Sequence, residues 1–169
     1  MKKLLLLLLV VPFLLLASPK LERELTTLDK EQLKVLYKTF YYGKQHDLHW
    51  TLTAIAWKES NFGKYRRNDT SQDYGIFQVN LNTYKRRYAD EIAAHSLSDN
   101  TIINYHIRYF EFNIAAAVDE IRYWQSVRSS WKDIWASYND GTVISSKGRS
   151  YSNDIARRIK TLQHFIGEP

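Results

Sequence analysis

One carboxylate of the chain shares a predicted helical face with apolar residues. Leu48, Leu52, Ile55 and Ala56 recur at helical spacing and predict the apolar face of an amphipathic helix. Glu59 follows Ile55 by four residues, so its carboxyl belongs to the same face. Burial on that face and the negative end of the helix dipole both raise the pKa of the carboxyl. A carboxylic acid that keeps its proton near neutral pH can act as a general acid.

A second polar stretch follows this helix after a short turn. Residues 66–71 read Arg-Arg-Asn-Asp-Thr-Ser, which is a polar and turn-prone run. From residue 73 to residue 80 the side chains alternate between two faces, which predicts a short extended segment. This order would bring three polar side chains across the mouth of the cleft that holds Glu59, namely Asp73, Gln78 and Asn80.

Four short motifs follow one another after residue 45. They are Glu59-Ser60, Gly75-Ile-Phe-Gln78, Ala136-Ser-Tyr-Asn-Asp-Gly141 and a late Tyr151. In order and rough spacing they resemble the soluble lytic transglycosylase family, in its small pilus- and secretion-associated form. The motifs of that family run Glu-Ser, Gly-Leu-Met-Gln, Ala-Tyr-Asn-x-Gly and then a late Tyr. The runs Glu-Ser-Asn-Phe and Asp-Tyr-Gly-Ile-Phe-Gln-Val-Asn also resemble the animal lysozymes, which share the same core fold.

The resemblance implies roles for the residues around Glu59, which would be the catalytic acid. Tyr138 would face the catalytic carboxyl, and Asn139 would hydrogen-bond an acetamido group of the sugar. Gln78 and Asn80 would contact substrate as well. Gln78 has a structural alternative, which is to close the corner between strand and loop.

Three hydroxyl groups are expected to support the acid, those of Ser60, Tyr138 and Tyr151. No base is spaced to activate Ser60, so its hydroxyl is expected to orient the carboxyl or a backbone group. Tyr138 and Tyr151 could each donate a hydrogen bond that sets the orientation of the acid. The alternative for both tyrosines is a buried hydroxyl that is satisfied elsewhere.

Asp73 separates two alternative reactions. A glycoside hydrolase needs a second carboxylate, and Asp73 lies where the lysozyme-like motif has one. A lytic transglycosylase needs only its Glu, which protonates the glycosidic oxygen and then takes the proton of the C6 hydroxyl, so that a 1,6-anhydro ring closes. The Ala-x-Tyr-Asn-x-Gly motif, the late Tyr and the absence of cysteine favour the transglycosylase. A lysozyme-type muramidase and a wall-binding assembly factor for a pilus or secretion system are the alternatives.

The expected substrate is the β-1,4 bond between N-acetylmuramic acid and N-acetylglucosamine in peptidoglycan. The net charge is +6, of which Lys2 and Lys3 supply 2, and the mild positive excess that remains suits such an acidic polymer, with a solubilising surface as the alternative. No base-reading motif indicates nucleic acid as a partner. Proton transfer and an oxocarbenium-like state need neither a metal nor a cofactor, and none is implied. His46 and His49 have no third ligand at a spacing that would complete a metal site.

The N-terminus is expected to direct export, with residues 1–18 as a signal peptide and residues 20–169 as one catalytic domain. Lys2 and Lys3 precede an apolar run over residues 4–16, which is too short to span a bilayer comfortably. The cleavage site is poor, because leucines occupy positions where a small residue is wanted. The segment as a whole predicts export to the periplasm or the cell exterior, and the poor cleavage site makes retention as an inner-membrane anchor the alternative. The absence of cysteine excludes disulfides and a lipid-anchored cysteine.

The elements that must position these residues are mostly helices. The resemblance implies a mainly α, lysozyme-like fold of the α+β type, with a helical bundle around a central helix and a small β-hairpin or extended segment at the cleft. The periodic apolar patterns predict helices near residues 28–43, 48–60, 99–127 and 131–141, and a last helix from Tyr151.

Three further details follow from the helical patterns. The 99–127 pattern indicates a break near Glu111, and residues 81–98 indicate only a short helix or a loop. Residues 115–117 are all alanine and would let another helix approach closely, as a central buried helix requires. The Asn113-Ile114 pair before them resembles the helix that runs through the middle of the family's domain.

Overall fold

The computed structural model describes residues 18–167 of the chain. Apart from Ser18, the predicted signal peptide lies outside these residues and stays a prediction. The described part forms nine helices and three short strands. In chain order they are α1 (Pro19–Thr26), α2 (Lys30–Lys44), α3 (His49–Ser60), β1 (Arg67–Asn68), β2 (Asp73–Tyr74), β3 (Val79–Asn80), α4 (Leu81–Arg87), α5 (Ala89–Ala94), α6 (Asp99–Arg108), α7 (Phe110–Val127), α8 (Trp131–Asp140) and α9 (Ser146–Ile166).

The three strands form a small antiparallel sheet in the order β1-β2-β3. Asp73 pairs with Asn68 of β1 on one side and with Asn80 of β3 on the other. The expected fold, mainly α with a small β element after the helix that bears Glu59, is confirmed. None of the helices within residues 18–167 combines the length and the apolar character that crossing a membrane requires.

Helix α3 is the most completely buried element of the main apolar core. It packs against both α2 and α9, and every residue from Thr51 to Trp57 is buried. The prediction that only one face of this helix is buried is therefore wrong, because neighbouring elements cover nearly its whole circumference. The surface is reached only at the two ends of α3, by the half-buried His49 and Trp50 in the first turn and by Lys58 and Glu59 in the last. This arrangement makes α3 a rigid support for the Glu59 carboxyl.

Helix α7 contributes a second buried stripe and packs against α6 and α8. Of the three alanines expected to allow close packing, Ala116 and Ala117 are buried and Ala115 is exposed. The expectation therefore holds for two of them, because neighbouring residues of a helix point about 100° apart and three in a row cannot share one face. The residues of its predicted stripe all lie in the main core, namely Ile114, Ala117, Val118 and Ile121.

The first predicted helix corresponds to α2, and a capping box fixes its start. The Asp29 carboxylate accepts the Gln32 backbone N–H at 2.9 Å, and the Gln32 side chain accepts the Asp29 backbone N–H at 3.0 Å. The sequence pattern did not predict α1, which precedes it. Leu21 and Leu25 bury one face of α1, and the helix packs against α9.

The predicted break near Glu111 is confirmed to within two residues, whereas the last helix, α9, begins at Ser146 and not at Tyr151 as expected. The break in the 99–127 pattern lies at Tyr109, whose extended backbone (φ −106°, ψ 110°) separates α6 from α7. Residues 81–98 contain two short helices, α4 and α5, which meet at Tyr88. A second apolar cluster joins α4 to β2, α6 and α7, and it consists of Tyr74, Leu81, Tyr84, Ile102, Ile103 and Ala116.

Candidate active site

Glu59 is the penultimate residue of α3, and the side chain of the next residue, Ser60, holds the turn that follows the helix. Asn61 is left-handed (φ 49°) and ends the helix. The buried Ser60 hydroxyl accepts the Gly63 backbone N–H at 2.8 Å and donates to the Ile76 carbonyl at 2.7 Å. Ser60 therefore orients backbone groups, one of the two roles expected for it, and ties the end of α3 to the segment after β2.

Glu59 borders two clefts, and Asn139 borders both with it. The first cleft has a volume of about 880 Å³, with walls from the β2–β3 segment, α4, α7 and α8. The second cleft, of about 440 Å³, lies against the start of α9 and includes Tyr151. The polar residues predicted around Glu59 that line the first cleft are Asp73, Gln78, Asn80, Tyr138 and Asn139.

The environment of Glu59 raises the pKa of its carboxyl from 4.5 to about 7. Burial is the largest cause, because it disfavours the charged form. The hydrogen bond from Tyr151 lowers the pKa, the charge of Asp73 raises it, and the charges of Lys58 and Lys147 lower it. The direction expected from the sequence is confirmed, and Glu59 can hold a proton at neutral pH and also release it.

Tyr151 is the hydrogen-bond partner of the Glu59 carboxyl. Its hydroxyl donates to Glu59 Oε1 at 2.5 Å, across 92 residues of sequence. Burial first, and then the charge of Glu59, raises the pKa of Tyr151 well above its ordinary value, so the hydroxyl stays a donor. The expected hydrogen bond to the acid is thus present for Tyr151, and the alternative of a hydroxyl satisfied elsewhere is not observed.

Tyr138 makes a different hydrogen bond from the one that was expected. Its hydroxyl donates to the Phe77 backbone carbonyl at 2.9 Å rather than to Glu59. The alternative of a hydroxyl satisfied elsewhere is therefore the correct one for Tyr138. The residue still borders the first cleft, and burial and the charge of Glu59 raise the pKa of its hydroxyl.

Gln78 occupies the corner between β2 and β3. Its Nε2 donates to the Gly75 carbonyl at 2.8 Å and to the Tyr65 carbonyl at 3.3 Å. Its backbone is left-handed (φ 46°), as the tight corner requires. The structural alternative for Gln78 is therefore present, and the residue lines the first cleft at the same time.

Asp73 and Asn80 form a linked pair on the wall of the first cleft. Asn80 Nδ2 donates to Asp73 Oδ1 at 2.9 Å and to the Ser71 carbonyl at 3.0 Å. The Asn80 Oδ1 accepts the Thr83 backbone N–H at 3.1 Å and caps α4. Asn80 thus fixes both the Asp73 carboxylate and the start of α4.

Asn139 carries a free acceptor at the junction of the two clefts. Its Oδ1 is buried and has no hydrogen-bond partner within residues 18–167. A buried amide oxygen without a partner is costly, because it loses water and gains nothing in return. A ligand N–H would satisfy it if the side chain turned this oxygen toward the cleft, because the atom is closed off from solvent.

A buried network behind the cleft was not foreseen from the sequence. Asn113 Oδ1 accepts the Phe77 backbone N–H at 3.0 Å, and Asn113 Nδ2 donates to the Tyr74 carbonyl at 3.1 Å and to His106 Nδ1 at 3.0 Å. His106 therefore accepts as a neutral ring, and burial lowers its pKa to about 4. The signal that could have revealed the network is a polar Asn113 in phase with the apolar stripe, four residues before Ala117.

The chemistry open to this arrangement is proton transfer by one carboxyl. Within residues 18–167 no group of three or more His, Asp or Glu side chains is arranged to hold a metal ion. Glu59 can donate a proton to a ligand atom that lies where the two clefts meet, and Tyr151 then stabilises the carboxylate left behind. A long polar ligand that extends into both clefts would pass directly over Glu59.

One comparison with known proteins gave a match. A family model described as the transglycosylase SLT domain matches residues 40–160, which is more than half of the chain. The matched span includes every one of the motifs from Glu59 to Tyr151. No curated protein and no solved structure gave a significant match.

Proposed function

The chain belongs to the transglycosylase SLT domain family, whose enzymes act on peptidoglycan, and we propose that it is a lytic transglycosylase with Glu59 as its only acid and base. It cleaves the β-1,4 bond between N-acetylmuramic acid and N-acetylglucosamine without water. The single observation that supports the proposal most is the partly buried carboxyl of Glu59, with a pKa of about 7, at the junction of two clefts.

In the first step Glu59 acts as the general acid. Its proton passes to the glycosidic oxygen, the bond from that oxygen to C1 of the muramyl sugar breaks, and positive charge develops on the sugar. The Tyr151 hydroxyl is 2.5 Å from Glu59 Oε1 and stabilises the carboxylate as it forms. The negative charge of Asp73 on the same cleft favours the positively charged sugar.

In the second step the Glu59 carboxylate acts as the base. It takes the proton of the C6 hydroxyl while the C6 oxygen bonds to C1, which closes the 1,6-anhydro ring and restores the protonated Glu59. A pKa near the working pH suits a group that must give and take the same proton. No water is consumed, so the two products together have the mass of the substrate.

We assign the main sugar contact to Asn139. The acetamido group of either sugar has an N–H donor, and Asn139 Oδ1 is the buried acceptor without a partner at the junction of the clefts. Gln78 and Asn80 keep their proposed place beside the substrate. Their side chains donate hydrogen bonds to the protein's own backbone and to Asp73, so we propose that they also fix the shape of the cleft wall.

A lysozyme-type hydrolysis is the second candidate, and the position of Asp73 on the same cleft as Glu59 is the observation that favours it. In that reaction Asp73 would serve as the second carboxylate that a hydrolase needs. Substitution Asp73→Asn separates the two candidates. A transglycosylase keeps forming anhydro products, whereas a hydrolase that depends on Asp73 loses turnover.

The decisive experiment compares Glu59→Gln with wild type on purified peptidoglycan. We expect Glu59→Gln to abolish clearing of the suspension, and mass spectrometry of the wild-type products to find anhydro ends, lighter than reducing ends by one water. Glu111→Gln is the matched control, because Glu111 is exposed on α7 and lines neither cleft. Full activity of Glu59→Gln would contradict the assignment, and reducing ends alone would favour the hydrolase.

We further propose export to the periplasm or cell surface, on the strength of the basic and apolar N-terminal segment. There the enzyme would open gaps in the wall, and a pilus or secretion apparatus is one assembly that such gaps would serve. A non-catalytic assembly factor is the alternative for that role. In cells that express only Glu59→Gln, a wall-opening enzyme would lose assembly of the apparatus, whereas a wall-binding factor would retain it.

A further inference from the structure

The two clefts that meet at Glu59 differ in charge. Besides Glu59, the first cleft is lined by two cations, Arg86 and Arg87, and by three carboxylates, those of Asp73, Glu120 and Asp140. Besides Glu59, the second cleft is lined by three cations, Lys58, Lys147 and Arg157, and by one carboxylate, that of Asp154. A ligand with one anionic part would therefore be oriented across Glu59, with that part in the second cleft.

The positive charge of the second cleft exceeds what its own carboxylate can neutralise. Asp154 lies 2.8 Å from Lys58 Nζ, 3.2 Å from Arg157 Nη2 and 3.3 Å from Arg158 Nε. This carboxylate thus pairs with two cations of the cleft, Lys58 and Arg157, and with Arg158, which lies outside the lining and also lies 3.4 Å from Glu24. An additional anion would find unused positive charge at this site.

Lys147 is the cation of this cleft that Asp154 does not bind. Its ammonium makes no ion pair with any residue from 18 to 167, and its side chain is exposed. The carboxylates whose charge it faces are Glu59, whose pKa it lowers, and Asp140, which accepts hydrogen bonds from Ser145 and Gly148. A bound anion would therefore not have to displace a partner of Lys147.

One face of α9 presents these groups in line. Lys147, Ser150, Asp154 and Arg157 follow at spacings of three, four and three residues, which places them on the same side of a helix. Lys58 and Glu59 at the end of α3 form the opposite wall. The site is built from two helices that pack directly against each other, so its geometry is fixed before a ligand binds.

We propose that the second cleft binds a carboxylate of the stem peptide carried by the glycan strand, with the Lys147 ammonium as its main contact. The proposal rests on the proposed function, because it assumes peptidoglycan as the substrate. In a strand that bears peptides the lactyl group of the muramyl sugar is an amide, so the free carboxylates belong to the peptide. Binding there holds the sugar chain in one direction over Glu59.

Lys147→Gln is the test variant, assayed on two forms of one substrate. The amino groups of the stem peptides are first acetylated in all of the substrate. One portion then keeps its free peptide carboxyls and is called the unchanged form, and in the other portion these carboxyls are converted to amides. The assay is run at pH 5.5, where Glu59 is protonated in both proteins, so that the loss of the Lys147 charge does not act through the acid. Lys132→Gln is the matched control, since Lys132 is an exposed lysine that lines neither cleft.

We expect Lys147→Gln to lower kcat/KM on the unchanged strands about two- to fivefold, the effect of one exposed ion pair. Amidation should cost wild type and Lys132→Gln about the same factor, and it should not affect Lys147→Gln further. Equal sensitivity of all three proteins to amidation would overturn the proposal.

A binding measurement separates this proposal from the proposed function. Glu59→Gln and Glu59→Gln/Lys147→Gln are compared by co-sedimentation with the two forms of peptidoglycan, which requires no turnover. Weaker binding of the double variant to the unchanged form alone supports the carboxylate site even if wild type forms no anhydro product. Identical binding of both proteins to both forms refutes the site even if wild type is an active transglycosylase.

Discussion

The pKa of Glu59 results from opposing contributions that each belong to a particular neighbour. Burial raises the pKa most and the charge of Asp73 raises it further, whereas the Tyr151 hydrogen bond and the charge of Lys58 lower it. Without the Tyr151 hydrogen bond the pKa of the buried Glu59 would be higher, and its carboxylate form would be too rare to act as the base. An exposed acid would have lost its proton before the substrate arrived. The balance near pH 7 is what a residue with both roles needs.

We expect cleavage of peptidoglycan to fall as the pH rises through about 7. The reason is that burial raises the Glu59 pKa to about 7, so the proton needed in the first step is present below that pH and lost above it. The measurement is kcat/KM between pH 3.5 and pH 9, which reports the free enzyme. A limb near pH 4.5 would mean that the carboxyl titrates as in water, and a rate that is flat to pH 9 would exclude Glu59 as the acid.

The same shift makes a prediction about stability. The folded pKa of Glu59 is raised above its unfolded value of 4.5, so its contribution to folding is full below pH 4.5 and is lost as the pH rises through about 7. Glu59→Gln should therefore be more stable than wild type at pH 8, by about 1–3 kcal/mol. The comparison is urea unfolding of both proteins at pH 4.5 and pH 8. A difference that is the same at both pH values would contradict the linkage.

Removal of the Tyr151 hydroxyl should have two separable effects. Tyr151→Phe takes away a bond that lowers the Glu59 pKa, so the alkaline limb of the pH profile should move to higher pH. It should also lower kcat at pH 6 by about ten- to a hundredfold, because a hydrogen bond to a charged group contributes about 1.5–3 kcal/mol. Tyr138→Phe is the matched control, since that hydroxyl donates to the Phe77 carbonyl. A limb that moves equally in both variants would mean that the Tyr151 bond to Glu59 has no specific effect on the pKa of the acid.

The sequence predicted the residues of the site better than it predicted their bonds. Glu59 and Asp73 could be placed beside one cleft because helical spacing and strand alternation indicate where they lie, whereas Asn139 was placed there only by the family resemblance. The partners of Tyr138 and Tyr151 could not be separated, because both are tyrosines near the same carboxyl and only the fold decides which hydroxyl reaches it. The two-cleft geometry depends on how α9 packs against α3, and no local pattern contains that information.

At the scale of elements, one buried side chain holds the segment that forms the cleft wall. Asn113 of α7 bonds the backbone on both sides of Gly75, at Tyr74 and at Phe77. The Phe77 carbonyl in turn accepts the Tyr138 hydroxyl of α8. A short β segment with only two residues per strand thus gains its position from helices rather than from its own ladder.

Gly75→Ala should be much more destabilising than a glycine substitution in open space. Gly75 has φ 84°, and an added Cβ would lie 2.4 Å from the Asn113 side chain, which is fixed by its hydrogen bonds. Left-handed backbone costs about 1–2 kcal/mol for alanine, and overpacking costs about 1–3 kcal/mol more. Gly167→Ala is the control, because Gly167 has φ 75° with nothing within 4 Å of an added Cβ. Equal losses in urea unfolding would show that Asn113 can give way.

At the scale of the whole molecule, the core extends beyond the span that the family model matches. The match covers residues 40–160, but Leu21, Leu25 and Leu36 before it and Leu162 after it are all buried in the main core. Glu24 of α1 also accepts the Trp57 indole N–H at 3.2 Å and lies 3.4 Å from Arg158 Nη1. The helix that the sequence pattern missed therefore joins the helix that bears Glu59 to the last helix of the fold.

We expect a chain trimmed to residues 40–160 not to fold. Each buried leucine contributes about 1.5–3 kcal/mol, so the loss of four amounts to on the order of 6–12 kcal/mol. That is as large as the whole free energy of unfolding of a typical domain, about 5–15 kcal/mol. A chain trimmed to residues 18–169 keeps α1, α2 and all of α9 and is the matched control. The measurement is thermal unfolding followed by circular dichroism, together with cleavage of peptidoglycan. A cooperative transition of the shorter chain close to that of the control would mean that α1, most of α2 and the end of α9 are dispensable, and that the site is held by the matched span alone.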